Sequence, residues 1–379
     1  AILRGGFVWD DDAYVTRNPN LKGLSGLVRI WCAPTSPSQH VPIQYYPAVH
    51  TVFWLEHQLW GDRPTGYHAV NVLLHALNAI LLLVLLRRLA VPGALLAALI
   101  FALHPVHVES VAWITELKNV LSTFFYLGGM LAYLRFAGLA GPAPSAGGKW
   151  AALVAAYLFF LLTLLSKTVT ATFPAIALLL TWWKRARLDW RDVVPLVPMF
   201  ALGVGFGLYT VYLERTHVGA SGPLWSLPFL ERILVAGRAL WFYAGKLVLP
   251  LNLTFIYPRW QMDSGALWQY LFPFSVFLFV FTLWTDRERL GRGPLVAVLF
   301  FIVTLFPALG FFNVFPMLYS FVADHFQYLA SAGLIALVAA AIVRGVRRSL
   351  SVGVSIALCL VLGALTWKQC LIYKDLETL

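Results

Sequence analysis

Charged residues are scarce in this sequence, and their scarcity excludes an ordinary soluble protein. Only 12% of the 379 residues are charged, whereas 60% are hydrophobic and the mean hydropathy is +0.76. Soluble domains carry about 25% charged residues. Two domains of this combined length could not bury so many apolar side chains in compact cores. The composition therefore predicts a chain surrounded by lipid, with the bilayer as its first partner.

Cysteines are few, and a continuous basic region is missing. Cys32, Cys359 and Cys370 cannot form a disulfide framework and do not indicate a redox compartment. The net charge of +11 is spread along the chain and is not gathered in one basic domain, so nucleic acid is not an expected partner.

Apolar stretches recur along the chain at lengths that suit a bilayer, where a span needs roughly 17 to 25 residues. They predict an all-α polytopic membrane protein with about 10–11 transmembrane helices and large outer loops. The predicted spans are 66–86, 92–104, 111–134, 150–166, 168–183, 194–213, 267–284, 294–313, 329–343 and 351–368.

Basic residues are concentrated in alternate connections, which predicts the orientation of the chain. Five short connections together hold fourteen of the 28 Lys and Arg but four of the 17 acids, a net charge of +10 against +1 elsewhere. By the positive-inside rule these connections are cytoplasmic. They are 86–92, 134–150, 183–193, 285–293 and 344–351. The regions 1–65, 104–110, 214–266 and 314–328 are then expected outside.

One apolar segment, 228–250, carries charges that a lipid-facing span would not tolerate. They are Glu231, Arg232, Arg238 and Lys246. A single crossing here would place the later basic connections outside, so the segment is interpreted as interfacial or re-entrant, with both ends on the outer side.

The chain divides into three regions on this interpretation. Residues 1–65 form a first outer loop, 66–368 a membrane domain, and 369–379 the start of a further outer region. The sequence begins with Ala1 and lacks a signal peptide, so a membrane helix is expected upstream, and more protein is expected downstream.

Three adjacent carboxylates follow an aromatic anchor in the first outer loop, at Asp10, Asp11 and Asp12. Mutual repulsion raises at least one pKa in such a group, which favours a general base or a metal ligand. A solvated or helix-capping loop is the alternative.

A second polar group breaks a predicted span at Pro105. His104, His107 and Glu109 crowd the outer face there, and Glu116 follows Glu109 at helical spacing. Hydrogen bonding to a polyhydroxylated ligand is favoured; a zinc site is possible but lacks the usual spacing, and structural packing stays open.

Two further sets of polar residues occur in predicted spans. His68, Asn71, His75 and Asn78 share one helix face, for which interhelical hydrogen bonds are the favoured interpretation. Residues 323–329, which include Asp324, His325 and Tyr328, are expected to point into an outer cavity.

Six motifs in order give the sequence a family resemblance. They are FVWDD (7–11), NP (18–19), YP (46–47), YHAVNVLLH (67–75), FALHPVHVESVA (101–112) and DHFQY (324–328). The chain resembles the transmembrane and tetratricopeptide-repeat O-mannosyltransferases, particularly their bacterial relatives. The resemblance implies a GT-C glycosyltransferase that moves a sugar, typically mannose, from a polyprenyl-phosphate carrier to a hydroxyl acceptor, such as protein Ser/Thr, on the outer side. It also implies tetratricopeptide repeats after this region.

Chemistry and resemblance together suggest roles for the candidate residues. Because charge grows on the leaving phosphate, cations are needed near it and a base near the acceptor hydroxyl. Asp10 and Asp11 are the base candidates. The sugar and acceptor are assigned to Asp12, His104, His107, Glu109, Glu116, Asp324 and Tyr328. The donor phosphate is assigned to Lys118, Arg232, Arg238, Lys246 and His325. No metal is assigned, although a divalent ion is possible.

Two departures and two rival functions accompany this assignment. Family members often carry Arg near the positions of Leu117 and His325, which leaves the phosphate ligand open. A transporter or flippase for a lipid-linked or anionic solute would also need buried charges, but no inverted repeat is evident. A simple anchor would not explain the clustered polar residues. The expected location is the bacterial inner membrane, with the active site on the periplasmic side.

Overall fold

The computed structural model describes residues 2–32, 44–139, 141, 145–222, 225–345 and 347–379. Parts of the predicted regions 1–65, 134–150, 214–266 and 344–351 lie outside these ranges. The described residues form helices and no strand. The α-helices are α1 (Gly23–Cys32), α2 (Pro47–Trp60), α3 (Pro64–Arg88), α4 (Ala94–Leu103), α5 (Val108–Ala112), α6 (Leu117–Phe136), α7 (Ala146–Leu164), α8 (Phe173–Arg185), α9 (Trp190–Val193), α10 (Val197–Leu213), α11 (Phe229–Val248), α12 (Leu271–Thr285), α13 (Gly293–Leu305), α14 (Ser331–Gly345) and α15 (Arg348–Gln369).

Each predicted span contains an α-helix, which confirms an all-α polytopic membrane protein. Among the described residues, five helices are long and apolar enough to cross a bilayer alone, and six if a bent pair counts as one. The sequence predicted about 10–11 spans. The numbers differ because several apolar segments are divided, as at Thr168–Thr172, or are short, as in α13 and α14.

The bent pair comprises α4 and the following residues Pro105–Ala112, which meet at 55°. Proline has no backbone N–H to donate, so α4 ends at Leu103. His104 caps the next turn by accepting a hydrogen bond from the Val106 backbone at 3.4 Å. The break allows the chain between α4 and α6 to form one wall of a polar cavity.

Close helix contacts form the core around α6, which packs along α7 and α3. Gly129 of α6 approaches Phe159 of α7 so closely that an added Cβ would lie 3.0 Å from the Phe159 Cβ. Small residues permit this approach in membrane helices. Tyr126, Phe160 and Phe173 fill the adjacent interior.

Three of the four residues in the polar stripe of α3, namely Asn71, His75 and Asn78, make the hydrogen bonds to neighbouring segments that the spacing predicts. Asn78 donates to the Val120 carbonyl at 2.8 Å, and His75 Nδ1 lies 2.7 Å from the Tyr328 hydroxyl. Asn71 donates to the carbonyls of Trp113 and Ile114 at 3.4 Å. These bonds join α3 to α6 and to the segments before α6 and α14.

The basic connections meet at one end of the helix bundle. Lys184 donates to the Leu89 carbonyl, and Arg185 donates to the Ala137 carbonyl. Trp182 stacks on Trp284 with 5.8 Å between ring centroids. In the same region, Arg292 and Arg344 line one cavity, and the Arg292 guanidinium lies 5.3 Å from the Trp182 ring. All five basic connections therefore share one side of the bundle.

Both termini of α11 contact the opposite end of the bundle. Arg232 donates to the Gly310 carbonyl beyond α13 at 2.7 Å. At the other terminus, Leu247 accepts a hydrogen bond from His104 Nε2, just beyond α4, at 3.0 Å. The segment 228–250 thus contains one continuous helix of 20 residues. Its interfacial position in the membrane stays a prediction.

Candidate functional site

A cavity of about 430 Å³ lies at the end of the bundle opposite the basic connections. Its walls come from the first loop, the bend before α6, and the segments that precede α11, α12 and α14. The lining residues are Trp9, Asp10, Tyr14, Gln44, Glu109, Trp113, Glu116, Lys118, His217, Val218, Phe255, Ile256, Phe315, Pro316, Tyr319, Ser320, Val322, Ala323 and His325.

Asp10 lines this cavity, and one of its carboxylate oxygens is unsatisfied. Its Oδ1 atom is buried and has no hydrogen-bond partner among the described residues. Burial raises the pKa of Asp10, and the nearby Lys118 opposes that rise. The carboxylate retains the capacity to accept a proton, because one of its oxygens has no fixed donor.

The turn that carries Asp10 is strained at Trp9, whose φ is 50°. A non-glycine residue in this left-handed region costs about 1–2 kcal/mol. The Trp9 ring contacts Phe255 and Tyr319, with centroid distances of 5.4 and 6.2 Å. These contacts help to hold the strained turn against the cavity wall.

Asp11 is fully buried and its carboxylate is occupied. It accepts hydrogen bonds from the Val8 backbone at 2.9 Å, from the Thr115 backbone at 2.8 Å and from the Thr115 hydroxyl. Burial raises the pKa of Asp11 to about 7, although the hydrogen bond from Thr115 opposes the rise. Asp11 therefore ties the first loop to the bend before α6, and it does not line the cavity.

A buried charge cluster lies beside the first loop. Glu116 pairs with Lys118 at 3.3 Å and with Lys167 at 3.0 Å. Lys167 also donates to Asn119 Oδ1 at 2.7 Å, and Asn119 donates to Glu116 at 2.6 Å. Lys118 lies 4.9 Å from the Tyr14 ring centroid. The cluster fixes the Lys118 ammonium at the cavity, and in it two ammonium groups share the one carboxylate of Glu116.

The segment before α14 contributes His325. Glu109 accepts hydrogen bonds from the His325 backbone at 2.8 Å and from its Nδ1 at 2.9 Å. Asn119 donates to the His325 carbonyl at 2.9 Å. The imidazole therefore faces the cavity beside the charge cluster.

Sequence reasoning did not identify Lys167, Gln44 or Glu214. Tyr14 donates to Gln44 at 2.7 Å, and Gln44 donates to Glu214 at 3.2 Å, which links the first loop to the end of α10. Lys167 stands alone between two apolar runs, a signal that the charge scarcity of those runs could have exposed.

Several predicted sugar or acceptor ligands lie elsewhere. His107 contacts the Phe101 carbonyl at 2.7 Å and the Ser331 hydroxyl at 2.9 Å, and Tyr328 contacts α3. Asp12 is part-exposed and pairs with Arg17 at 3.0 Å. His104 contacts α11, as described above. None of these four residues lines the cavity.

Asp324 is buried next to the cavity wall. Its Oδ2 accepts a hydrogen bond from the Tyr257 hydroxyl at 3.0 Å, while Oδ1 has no partner among the described residues. Burial, together with the charge of Glu109, raises its pKa well above the ordinary value.

The predicted phosphate cations of α11 also lie outside the cavity. Arg232 donates hydrogen bonds to loop carbonyls, and it donates to the Asn313 side-chain oxygen at 2.8 Å. Arg238 lies over the Trp260 ring at 4.4 Å, and Lys246 donates to the Leu251 carbonyl at 2.7 Å. Lys118 and His325 are the two predicted phosphate ligands that line it.

Within the described ranges, no group of three or more His, Cys, Asp or Glu side chains is arranged to hold a metal ion. The zinc site considered for His104 and His107 therefore has no such group to support it among these residues. Both rings instead contact backbone carbonyls, those of Leu247 and Phe101.

The relatives that the sequence matches are described as protein O-mannosyl-transferases. The chain is 26% identical over 347 residues to the protein O-mannosyl-transferase F38B6.6 of Caenorhabditis elegans, covering 88% of this chain and 48% of that protein. It is 32% identical over 178 residues to Drosophila melanogaster protein O-mannosyl-transferase Tmtc1, covering 45% and 20%. For human protein O-mannosyl-transferase TMTC4 the identity is 31% over 153 residues, covering 35% and 20%.

These similarities confirm the resemblance expected from the motifs. The chain spans about half the length of the Caenorhabditis elegans relative and less of the other two. No protein-family model matches the chain, and no solved structure matches it.

Proposed function

We propose that this protein is a membrane glycosyltransferase of the GT-C type that transfers mannose from a polyprenyl-phosphate carrier to a hydroxyl group of a protein. Its similarity to protein O-mannosyl-transferases supports the reaction class. The observation that carries the site assignment is that Asp10, which has one partnerless carboxylate oxygen, lines the same cavity as Lys118.

The proposed step is a single displacement. The acceptor oxygen attacks the anomeric carbon, the bond from that carbon to the phosphate oxygen breaks, and the electron pair leaves with polyprenyl phosphate. Asp10 takes the hydroxyl proton, which makes the acceptor oxygen a better nucleophile in the transition state. Attack opposite the leaving group inverts the anomeric centre.

Cations are needed where the leaving phosphate gains charge. We assign that role to Lys118, with His325 beside it. Glu116 and Lys167 position the Lys118 ammonium, since Lys118 and Lys167 share the Glu116 carboxylate. Lys167 is therefore a positioning residue in this proposal, and Asp11 positions the Asp10 turn.

The proposed location of the site is the outer face of the membrane, which is the periplasmic side in a bacterial inner membrane. Its support is the distribution of charge, because the cavity lies opposite the end where the basic connections meet.

Asp10→Asn separates catalysis from donor binding. We expect single-turnover transfer from a polyprenyl-phosphate mannose to fall roughly 10²- to 10⁴-fold, the usual contribution of a general base. Affinity for the same donor should change little. Asp12→Asn should lose less activity, because Asp12 pairs with Arg17 outside the cavity. The matched control is Asp62→Asn, an exposed carboxylate after α2.

Lys118→Ala tests the phosphate side. Removing a charge-assisted hydrogen bond should weaken donor affinity by about 1–3 kcal/mol, while Lys22→Ala, at an exposed position of the first loop, should leave it unchanged. Full transfer activity in Asp10→Asn would remove Asp10 from the mechanism. Movement of the lipid-linked sugar across vesicles without a covalent product would favour a transporter.

A further inference from the structure

A second cavity, of about 450 Å³, lies at the other end of the bundle. It is bordered by the last turns of α3 and α8, the first turns of α13 and the length of α14 from Ala332 to Arg344. Its wall is almost entirely apolar and includes Leu82, Leu86 and Phe300. The cavity is separate from the candidate site, since the two share no lining residue.

Small side chains on α13 and α14 create this space. Ala297, Ala336 and Ala340 face it. Nearby, an added Cβ at Gly333 would lie 2.6 Å from the Ala297 carbonyl, so α13 and α14 already touch there and cannot move closer to close the gap. Protein interiors otherwise pack with few voids larger than a water molecule. A gap of this size between apolar helices in a bilayer is suited to a hydrocarbon chain.

Two guanidinium groups stand at the rim of the cavity. Arg292 precedes α13 and lies 5.3 Å from the Trp182 ring centroid. Arg344 lies in the last turn of α14 and is exposed. The stacked Trp182 and Trp284 rings lie beside Arg292, and positive charge next to aromatic rings suits the headgroup level of a membrane.

We propose that this cavity binds an anionic phospholipid of the cytoplasmic leaflet. An acyl chain of the lipid packs against the apolar wall, and its phosphate lies at Arg292 and Arg344. Basic pockets between transmembrane helices on the cytoplasmic side bind anionic headgroups. The apolar wall with charge of one sign at its edge matches an amphiphile with an anionic head. A zwitterionic phospholipid carries a compensating positive charge, so its headgroup is attracted less strongly.

The test uses the purified full chain, stripped of lipid in neutral detergent and titrated with phosphatidylglycerol or phosphatidylcholine. Bound lipid is counted by native mass spectrometry. We expect phosphatidylglycerol to bind more tightly. The double variant Arg292→Gln and Arg344→Gln should lose about 30-fold in phosphatidylglycerol affinity, since each basic residue near the surface is worth about 1 kcal/mol.

Matched controls separate this site from general surface charge. Arg191→Gln with Arg287→Gln removes two cations from the same end, neither of which lines the cavity, and should preserve phosphatidylglycerol affinity. Ala336→Trp should block binding by filling the cavity. Val338→Trp, at an exposed position of α14, should not.

Equal affinity for the two lipids would overturn the proposal. An equal loss in both arginine pairs would also overturn it, since that result would indicate nonspecific attraction. Because lipid is counted on the folded protein, failure of this proposal is distinguishable from failure of the proposed transfer reaction.

Discussion

Glu109 holds His325 through two hydrogen bonds, one to its backbone N–H at 2.8 Å and one to its Nδ1 at 2.9 Å. The rings of His104 and His107 contact backbone carbonyls, whereas the His325 ring contacts a carboxylate. Donation from Nδ1 fixes the orientation of the His325 ring, and Nε2 takes no part in this contact. The segment before α14 is thereby fixed to the bend before α6.

Glu109→Gln should destabilise the protein even though it preserves side-chain size. A glutamine can accept with one oxygen only, so one His325 donor loses its acceptor and faces an amide group. We expect the free energy of unfolding to fall by about 1–3 kcal/mol. The measurement is the free energy of unfolding in detergent. The control is His217→Phe, a substitution at an exposed residue that lines the cavity. A loss no larger than that of His217→Phe would contradict the prediction.

Asp11 should make stability fall as pH rises. Its pKa is about 7 in the folded protein against an ordinary 3.8, so between these values the unfolded chain releases a proton that the folded chain keeps. The contribution is fully present below about pH 4 and is lost as pH rises through about 7, with a slope of at most about 1.4 kcal/mol per pH unit.

Asp11→Asn removes this titration. The difference in unfolding free energy between the parent and the variant should therefore depend on pH within that window. Asp12→Asn retains the Asp11 carboxyl and should keep the parent slope. A pH-independent difference for Asp11→Asn would mean that Asp11 is ionised throughout the window.

Lys167 and Glu116 should be strongly coupled. Removing one member of a buried ion pair costs about 3–5 kcal/mol, because the remaining charge loses its partner. We expect Lys167→Met and Glu116→Gln each to destabilise the protein, and the double variant to lose less than their sum. Lys149→Met, at an exposed position of α7, should change stability by about 0.5 kcal/mol or less. Additive losses would argue against the pair.

The orientation can be tested with single cysteines. We expect cysteines at Arg187 and Arg347 to resist an impermeant reagent applied to intact cells, because both lie in basic connections. A cysteine at Gly265 should react. The native Cys32, Cys359 and Cys370 are first replaced by serine. Labelling at positions 187 and 347 from outside would reverse the orientation and place the candidate site in the cytoplasm.

The sequence was sufficient for the helical class and for part of the site. Apolar runs and alternate basic connections carry their information locally, so both could be recognised without a structure. Asp10, Glu109, Glu116, Lys118 and His325 stood out because charge is costly near a membrane, and all five line one cavity.

Tertiary contacts decide the remaining assignments. Arg232 looked like a phosphate ligand because of its apolar surroundings, but neighbouring loop carbonyls satisfy it. His107 is likewise satisfied by Phe101 and Ser331. Lys167 has its role only because the turn between α7 and α8 packs against the start of α6. The sequence shows which polar side chains are costly to bury near a membrane, but it does not show which neighbours supply their hydrogen bonds.

The Glu109–His325 contact also has a consequence for biosynthesis. The two residues are 216 positions apart, and ribosomes add roughly 5 to 20 residues per second. After Glu109 has been synthesised, its partner follows roughly 10 to 40 seconds later. During that interval the carboxylate must stay hydrated or be sheltered by the insertion machinery, since it cannot enter lipid alone. Synthesis of the segment before α14 is therefore the event that supplies this carboxylate with its partner.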